Sequence, residues 1–395
     1  MNDSIYKINN LDFNNSNSQF CLSYNDGIKS FKTEDFKAIH SSNSLGAVSM
    51  AVLFRELNIA IFVGTEKNEL YNNKKICIYD LINQKLVYST IFKKEIISLK
   101  IIDKYLIIGF KGQLNVFSLE KSDTIIPVKE ISLPESDIYV MWEKRPNNEL
   151  ISLTEFYLAY FFEKEICITK FTGNNWDELE KFDIEMSIEK KTAQNLFYVN
   201  KINKLIVPDQ TARYIYGYDA NSKKQAFLLY RGEKPGKITS VVLLNKNCLA
   251  LNNINRTIYI YNLSNNQEIK LFDKLASYIY GDYIKPIIKI RYDELIKDKE
   301  GDFYESDFQN KGSILSGEED GINLRVISYC GFAFKIKIGF LKNDYEVVLK
   351  EKIADYKDEK EEEQVYSSSN NKDDKFYTSY NSIFDKEKSQ SKSEK

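Results

Sequence analysis

The sequence predicts an all-β, seven-bladed β-propeller of the WD40-like type, followed by a disordered charged tail. Three observations carry that prediction. A strand pair recurs at the period of a propeller blade. The composition favours strands, with 27 Tyr and 24 Phe among 395 residues, and flat or branched side chains pack on a pleated surface. Proline and glycine number only 6 and 16, so Asn, Asp and Lys are left to fill the turns, where Asn and Asp tolerate left-handed backbone.

The recurring unit is a short apolar strand, a turn, and an alternating strand that ends on a polar residue. The alternating strands begin at Ile28, Ile76, Leu114, Ile166, Ile215, Ile258 and Phe334. Apolar partners lie upstream at 59–63 (IAIFV), 106–110 (LIIGF), 205–207 (LIV) and 249–251 (LAL). Five of the six spacings run from 38 to 52 residues, and four-stranded blades repeat every ~40–50 residues. One such sheet cannot cover both of its faces alone. Stacking seven of them covers the faces and leaves only short edges.

The last spacing, 76 residues, is read as an insertion at about 264–322, which contains the polar run KDKEGDFYESDFQNKG. The propeller is expected to span 1–354, closed by a strand near residues 5–8 that pairs with the last blade. From 355 to 395 the chain is charged and of low complexity. Such a segment has too few core formers to repay ordering entropy and is expected to stay disordered.

Composition narrows the function. The formal net charge is -2, so no global basic field favours nucleic acid, and recognition of anions must be local. Cys21, Cys77, Cys167, Cys248 and Cys330 stand singly without a CxxC pair. They are expected to be reduced, buried thiols, with no metal site. No signal peptide and no apolar run of ~20 residues is visible, so a cytoplasmic protein is expected. The one histidine, His40, lies in the loop-like KAIHSSNS without a nucleophile motif beside it. No phosphate-binding glycine loop, nucleophile elbow or zinc helix occurs. Neither an enzyme nor a cofactor is expected.

Sharper signal comes from 228–263, LLYRGEKPGKITSVVLLNKNCLALNNINRTIYIYNL. Leu229-Tyr230-Arg231-Gly232, followed by the turn Asn252-Asn253-Ile254-Asn255-Arg256-Thr257, resembles the blade junction of the PROPPIN family. There a Phe-Arg-Arg-Gly motif precedes a Ser-Ser-Asp-Lys-Gly-Thr turn. In residues 54–81, Lys67, Asn68, Tyr71 and Lys75 match the spacing of a second-blade loop of one PROPPIN subgroup. The resemblance covers most of 15–350.

The resemblance implies a phosphoinositide-binding peripheral membrane protein of autophagic or endosomal membranes, with each motif arginine serving one head-group pocket. A guanidinium suits phosphate because its planar donor fork is permanently charged. Tyr230 replaces the first arginine, and Asp209, Arg213 and Tyr216 fall where its companions would be, so the first pocket is expected to be lost. Arg231, Thr257, Arg256, Asn252 and Asn253 compose the second, and Arg213 could restore some charge. Arg231 as a solvated turn residue is the competing reading. Tyr278, Ile279, Tyr280, Tyr283 and Ile284, flanked by Lys285, Lys289 and Arg291, would form the family's membrane-inserting loop, or else an outer strand. The resemblance also implies an autophagy lipid-transfer protein as partner at blades 2–3, and a monomer is expected. A protein-interaction propeller that has lost lipid binding is the alternative.

Overall fold

The computed structural model describes residues 8–353 except 15, 55–57, 120–123, 134–138, 145–154, 163–164, 173–174, 177–179, 184–194, 233, 235, 265–282, 292–294, 296–312, 318–322, 330 and 341. The fold class is as predicted, an all-β seven-bladed β-propeller: seven antiparallel sheets follow one another along the chain. Each of the seven alternating segments is the third strand of its sheet: Ile28–Lys32, Lys75–Asp80, Gln113–Ser118, Glu165–Thr172, Tyr214–Asp219, Thr257–Asn262 and Phe332–Gly339. The apolar partners are second strands, such as Ile59–Gly64 and Cys248–Asn253.

Two compact units divide the chain. Met1–Glu130 with Ala354–Lys395 is one, and Ile131–Ile353 is the other. In the first, blades 1 and 2 share a core around Phe62, Ala60 and Cys77, and blades 2 and 3 share one around Ile61, Leu106 and Phe117. In the second, blades 5 and 6 meet through Ile215, Leu229, Leu249 and Tyr261. Blades 6 and 7 meet through Ile258, Ile260, Leu324 and Phe334. Second strands are buried along nearly their whole length, because each face lies against a neighbouring blade. Cys21, Cys77, Cys167 and Cys248 are free and buried, whereas Cys330 lies outside the described residues.

Three expectations meet a different structure. The first described strand, Ile8–Phe13, pairs with Gln19–Tyr24 inside blade 1. The last blade takes all four strands from its own stretch, beginning at Ser313–Gly317, so the expected strand exchange is not present among the described residues, outside which residues 5–7 lie. The range 264–322 contains two blade strands: Ile288–Arg291 is the outer strand of blade 6, as the second reading of that stretch had it, whereas Ser313–Gly317 is too short and isolated to announce itself in sequence. His40 sits in the strand Ala38–Ser42, its Nε2 3.0 Å from Asn58 Oδ1. The tail from 355 falls outside the described residues.

Candidate functional site

The junction of blades 5 and 6 begins where Gln225–Tyr230 ends. Arg231 N still donates to Arg213 O at 2.9 Å, extending the ladder by one residue. Gly232 then leaves with φ +125, and nothing stands within 4 Å of its missing Cβ. Backbone conformation, not crowding, therefore requires glycine there.

Arg231 is buried, at 3% exposure, so it is not a solvated turn residue. Its Nε donates to Ala212 O at 2.6 Å, and its Nη2 donates to Lys234 O and, at 3.4 Å, to Thr211 O. The guanidinium also lies over the Tyr259 ring, 5.6 Å from its centroid. One side chain thus ties the turn before Tyr214–Asp219 to the linker into blade 6. No carboxylate pairs with it among the described residues, and Nη1 makes no hydrogen bond there. A buried cation without a counter-charge is costly, and that cost favours an anion beside it.

The surrounding groups suit one. A Cβ on Gly236 would lie 2.9 Å from Asn255 Nδ2, 3.5 Å from Asn253 Nδ2 and 3.6 Å from Arg231 Nη1. Three side-chain nitrogens therefore lie around the face of Gly236 that a Cβ would occupy. Asn253 is held by its other end, with Oδ1 accepting from Thr257 N at 3.0 Å. Asn252 is fully buried, and its Nδ2 donates to Thr239 Oγ1 at 2.8 Å. That bond ties Asn252 to the neighbouring strand and uses one of its two amide hydrogens. Thr257 Oγ1 donates to Asn255 O at 3.3 Å. Arg256 has φ 58, a left-handed backbone that favours glycine, which is what the PROPPIN turn carries there. Burial holds the nearby Tyr261 phenol well above its ordinary pKa, and the Arg231 charge opposes that shift only in part.

Asp209 caps its own turn. Its Oδ1 accepts from Thr211 Oγ1 and Arg213 N, both at 3.0 Å. Burial raises its pKa, and these bonds pull it back. Arg213 is exposed at the end of the same turn. Tyr230 packs between Tyr214 and Tyr283, with ring centroids 5.3 and 5.2 Å away, filling the space beside it with carbon.

Of the five loop residues, Tyr278, Ile279 and Tyr280 lie outside the described residues. Tyr283 and Ile284 are half-buried on the body of the protein. Ile284 bridges Leu229 in parallel, with Tyr230 N to Ile284 O at 2.9 Å and Ile284 N to Leu228 O at 2.8 Å. Sequence reasoning missed Gly236 and Asn255 as site residues. The one signal available was a second Asn, two residues after Asn253, in the same turn.

A second constellation lies in blades 2 and 3. Asn68 is buried and anchors the loop between Ile59–Gly64 and Lys75–Asp80. Its Nδ2 donates to Leu45 O and Ala47 O, and its Oδ1 accepts from Leu70 N and Tyr71 N, at 2.9–3.1 Å. Lys75 Nζ donates to Leu70 O at 3.0 Å and lies over the Tyr71 ring. Gly64 is required by contact, since a Cβ there would lie 1.2 Å from Tyr71 O. The loop holds Leu70 outward at 70% exposure, with Lys67, Lys74, Lys93, Lys94 and Lys111 and the acids Glu66, Glu69 and Glu95 exposed on this and the following turns.

No family model matches the sequence, and no curated protein does. Solved structures do match. Hsv2 of Kluyveromyces marxianus is similar at 13% identity and TM-score 0.62, over 88% of this chain and 99% of that one. Kluyveromyces lactis Hsv2 with a complete loop 6CD gives 12%, 0.61, 88% and 99%. KlAtg21, in complex with the coiled-coil of AgAtg16, gives 13%, 0.59, 89% and 100%. Hsv2 and Atg21 are PROPPINs, and at this identity the likeness speaks for the fold. The chain is a seven-bladed β-propeller, and its fold is the one that the Hsv2 and Atg21 structures share.

Proposed function

We propose that this protein is a peripheral membrane effector that reads a 3-phosphorylated inositide at the blade 5–6 junction, on autophagic or endosomal membranes. The observation that carries the reading is Arg231, a buried guanidinium with no carboxylate partner among the described residues, next to amide donors that converge at Gly236. A phosphate there would meet Arg231 Nη1, Asn253 Nδ2 and Asn255 Nδ2, with Lys234, Lys237 and Arg256 adding charge from adjacent turns. Thr257 supports the turn. Arg213 belongs to the other side of the motif. Residues 278–280 would enter the bilayer, with Tyr283 and Ile284 as their footing on blade 5.

Likeness to PROPPIN structures supports the membrane setting. The Atg21 structure holds a coiled-coil partner. For this chain the corresponding expectation is a protein partner, a lipid-transfer protein of autophagy by resemblance, at blades 2–3, where Leu70 is exposed. Flotation of the full chain with vesicles of equal charge, with and without phosphatidylinositol 3-phosphate, tests the lipid reading. Recovery that requires the inositide supports it, and equal recovery refutes it. The alternative, a protein-interaction propeller without lipid reading, is favoured by one observation: Tyr230 fills the place of the first motif arginine with aromatic contacts.

A further inference from the structure

A hollow of about 390 Å³ opens between blades 6 and 7, and none of its lining residues belongs to the Arg231 site. Small-ligand sites begin at ~300 Å³. Asn245 and Asn247 reach it from the turn between Ile238–Asn245 and Cys248–Asn253. Asn262 and Ser264 close the third strand of blade 6, and Ile287 leads into the fourth. Phe340 and Asn343 come from the hairpin turn after Phe332–Gly339. The floor is the core that blades 6 and 7 share: Cys248 belongs to it at 4% exposure, and Ile287 and Phe340 pack against it.

Local bonds fix the walls. Leu263 N donates to Asn247 O at 2.6 Å, and Ile287 N to Ile260 O at 2.8 Å. Asn245 Oδ1 accepts from Asn247 N at 2.9 Å. Asn262 Oδ1 accepts from Ser264 N at 3.0 Å and from Ser264 Oγ at 2.7 Å. Among the described residues no hydrogen bond engages Asn262 Nδ2 or the side-chain amides of Asn247 and Asn343.

The lining selects its ligand. Charged residues make up 28% of the chain, yet among the described residues none lines the hollow. Burial holds the Cys248 thiol above its ordinary pKa, and the Asn245 side chain opposes the shift only in part, so the floor is uncharged as well. A phosphate or carboxylate would lose hydration there and meet no counter-charge. An acyl chain would strip water from the carboxamides without replacing its hydrogen bonds. A carboxamide offers donor and acceptor side by side, which matches neighbouring hydroxyls. The half-buried Phe340 ring gives the C–H face of a sugar ring an apolar wall.

We infer that the hollow between blades 6 and 7 binds an uncharged, hydroxyl-rich ligand of the sugar class. The inference does not rest on the inositide reading.

The test presents the full chain to an array of neutral glycans alongside sialylated and sulfated ones, followed by calorimetric titration with the best neutral binder as free sugar. Binding to neutral glycans is expected. Asn247→Ala with Asn343→Gly removes two carboxamides that bond nothing within the described protein, and glycine accepts the φ of 54 at residue 343. The melting temperature should therefore hold while sugar affinity falls by about ten-fold or more. Saturating inositol 1,3-bisphosphate should leave sugar affinity unchanged. The absence of any neutral binder overturns the inference, as does binding confined to charged glycans. An affinity that survives the double variant, or that inositol 1,3-bisphosphate abolishes, overturns it too.

Discussion

Replacing Arg231 by alanine should cost both stability and head-group affinity, because the guanidinium holds the site together as well as charging it. Two firm bonds are lost, Nε to Ala212 O and Nη2 to Lys234 O, with the 3.4 Å contact to Thr211 O counting for little. Hydrogen bonds from a charged group are worth about 1.5–3 kcal/mol each. Removing a buried cation also relieves its desolvation cost, so the net loss is set at about 2 kcal/mol. At roughly 2–4 °C per kcal/mol for a domain somewhat smaller than this one, the melting temperature should fall by several degrees. Head-group affinity should drop ten-fold or more, since ~1.4 kcal/mol is a factor of ten. Differential scanning fluorimetry with and without saturating soluble inositol 1,3-bisphosphate reads both effects, because ligand at 100 times its dissociation constant stabilises by about 2.7 kcal/mol. Wild type should gain several degrees from ligand and the variant little. Arg231→Lys should lie between, keeping charge but losing the fork. An Arg231→Ala protein with wild-type melting and a wild-type ligand shift would refute the reasoning.

Three further outcomes follow from other parts of the fold. Asn68→Ala removes four hydrogen bonds from a buried amide and leaves main-chain groups unpaired, so thermal melting should show about 2–3 kcal/mol of destabilisation, and any partner captured through the Leu70 loop should bind more weakly. Burial raises the Asp12 carboxyl to about 6, and Lys100 opposes the shift. The folded state therefore prefers the protonated acid, so this contribution is full below pH 4 and is lost as pH rises through 6. The shift caps it at about 3 kcal/mol, and because Asp12 is half-buried rather than sealed by accessible surface, a fraction of that is expected. Asp12→Asn should flatten the melting profile between pH 4 and 7 and raise the melting temperature at pH 7.5. Truncation after residue 354 should leave the melting temperature within about 2 °C of full length, since a charged, low-complexity tail contributes little to a core.

Blade number and blade phase were legible because third strands alternate and second strands are apolar, and both patterns follow from burial between neighbouring sheets. Ser313–Gly317 was not legible, since SILSG is short and follows a polar stretch, whereas Ile288–Arg291 was legible as the outer-strand reading of its stretch. The motif arginine was visible, but its burial was not. Arg231 is held by main-chain carbonyls of Ala212, Thr211 and Lys234, and carbonyls leave no mark in a side-chain pattern. Gly236 was invisible for a related reason, because what marks it is the lack of a Cβ close to three side-chain nitrogens. The docking of Ile284 on Leu229 is a long-range parallel bridge, which strand alternation near Ile284 does not reveal.

The central claim is that donors converging on Gly236 bind an inositide phosphate, and Gly236→Ala addresses it most directly. The added methyl would stand 2.9 Å from Asn255 Nδ2 and 3.6 Å from Arg231 Nη1, in the space the phosphate would need. No positive φ forbids alanine there. Calorimetric titration of wild type and Gly236→Ala with inositol 1,3-bisphosphate, at matched melting temperatures, is the measurement. The account predicts wild-type binding that weakens at least ten-fold in the variant. Equal affinity in the two proteins, or no wild-type binding at low salt, would contradict it.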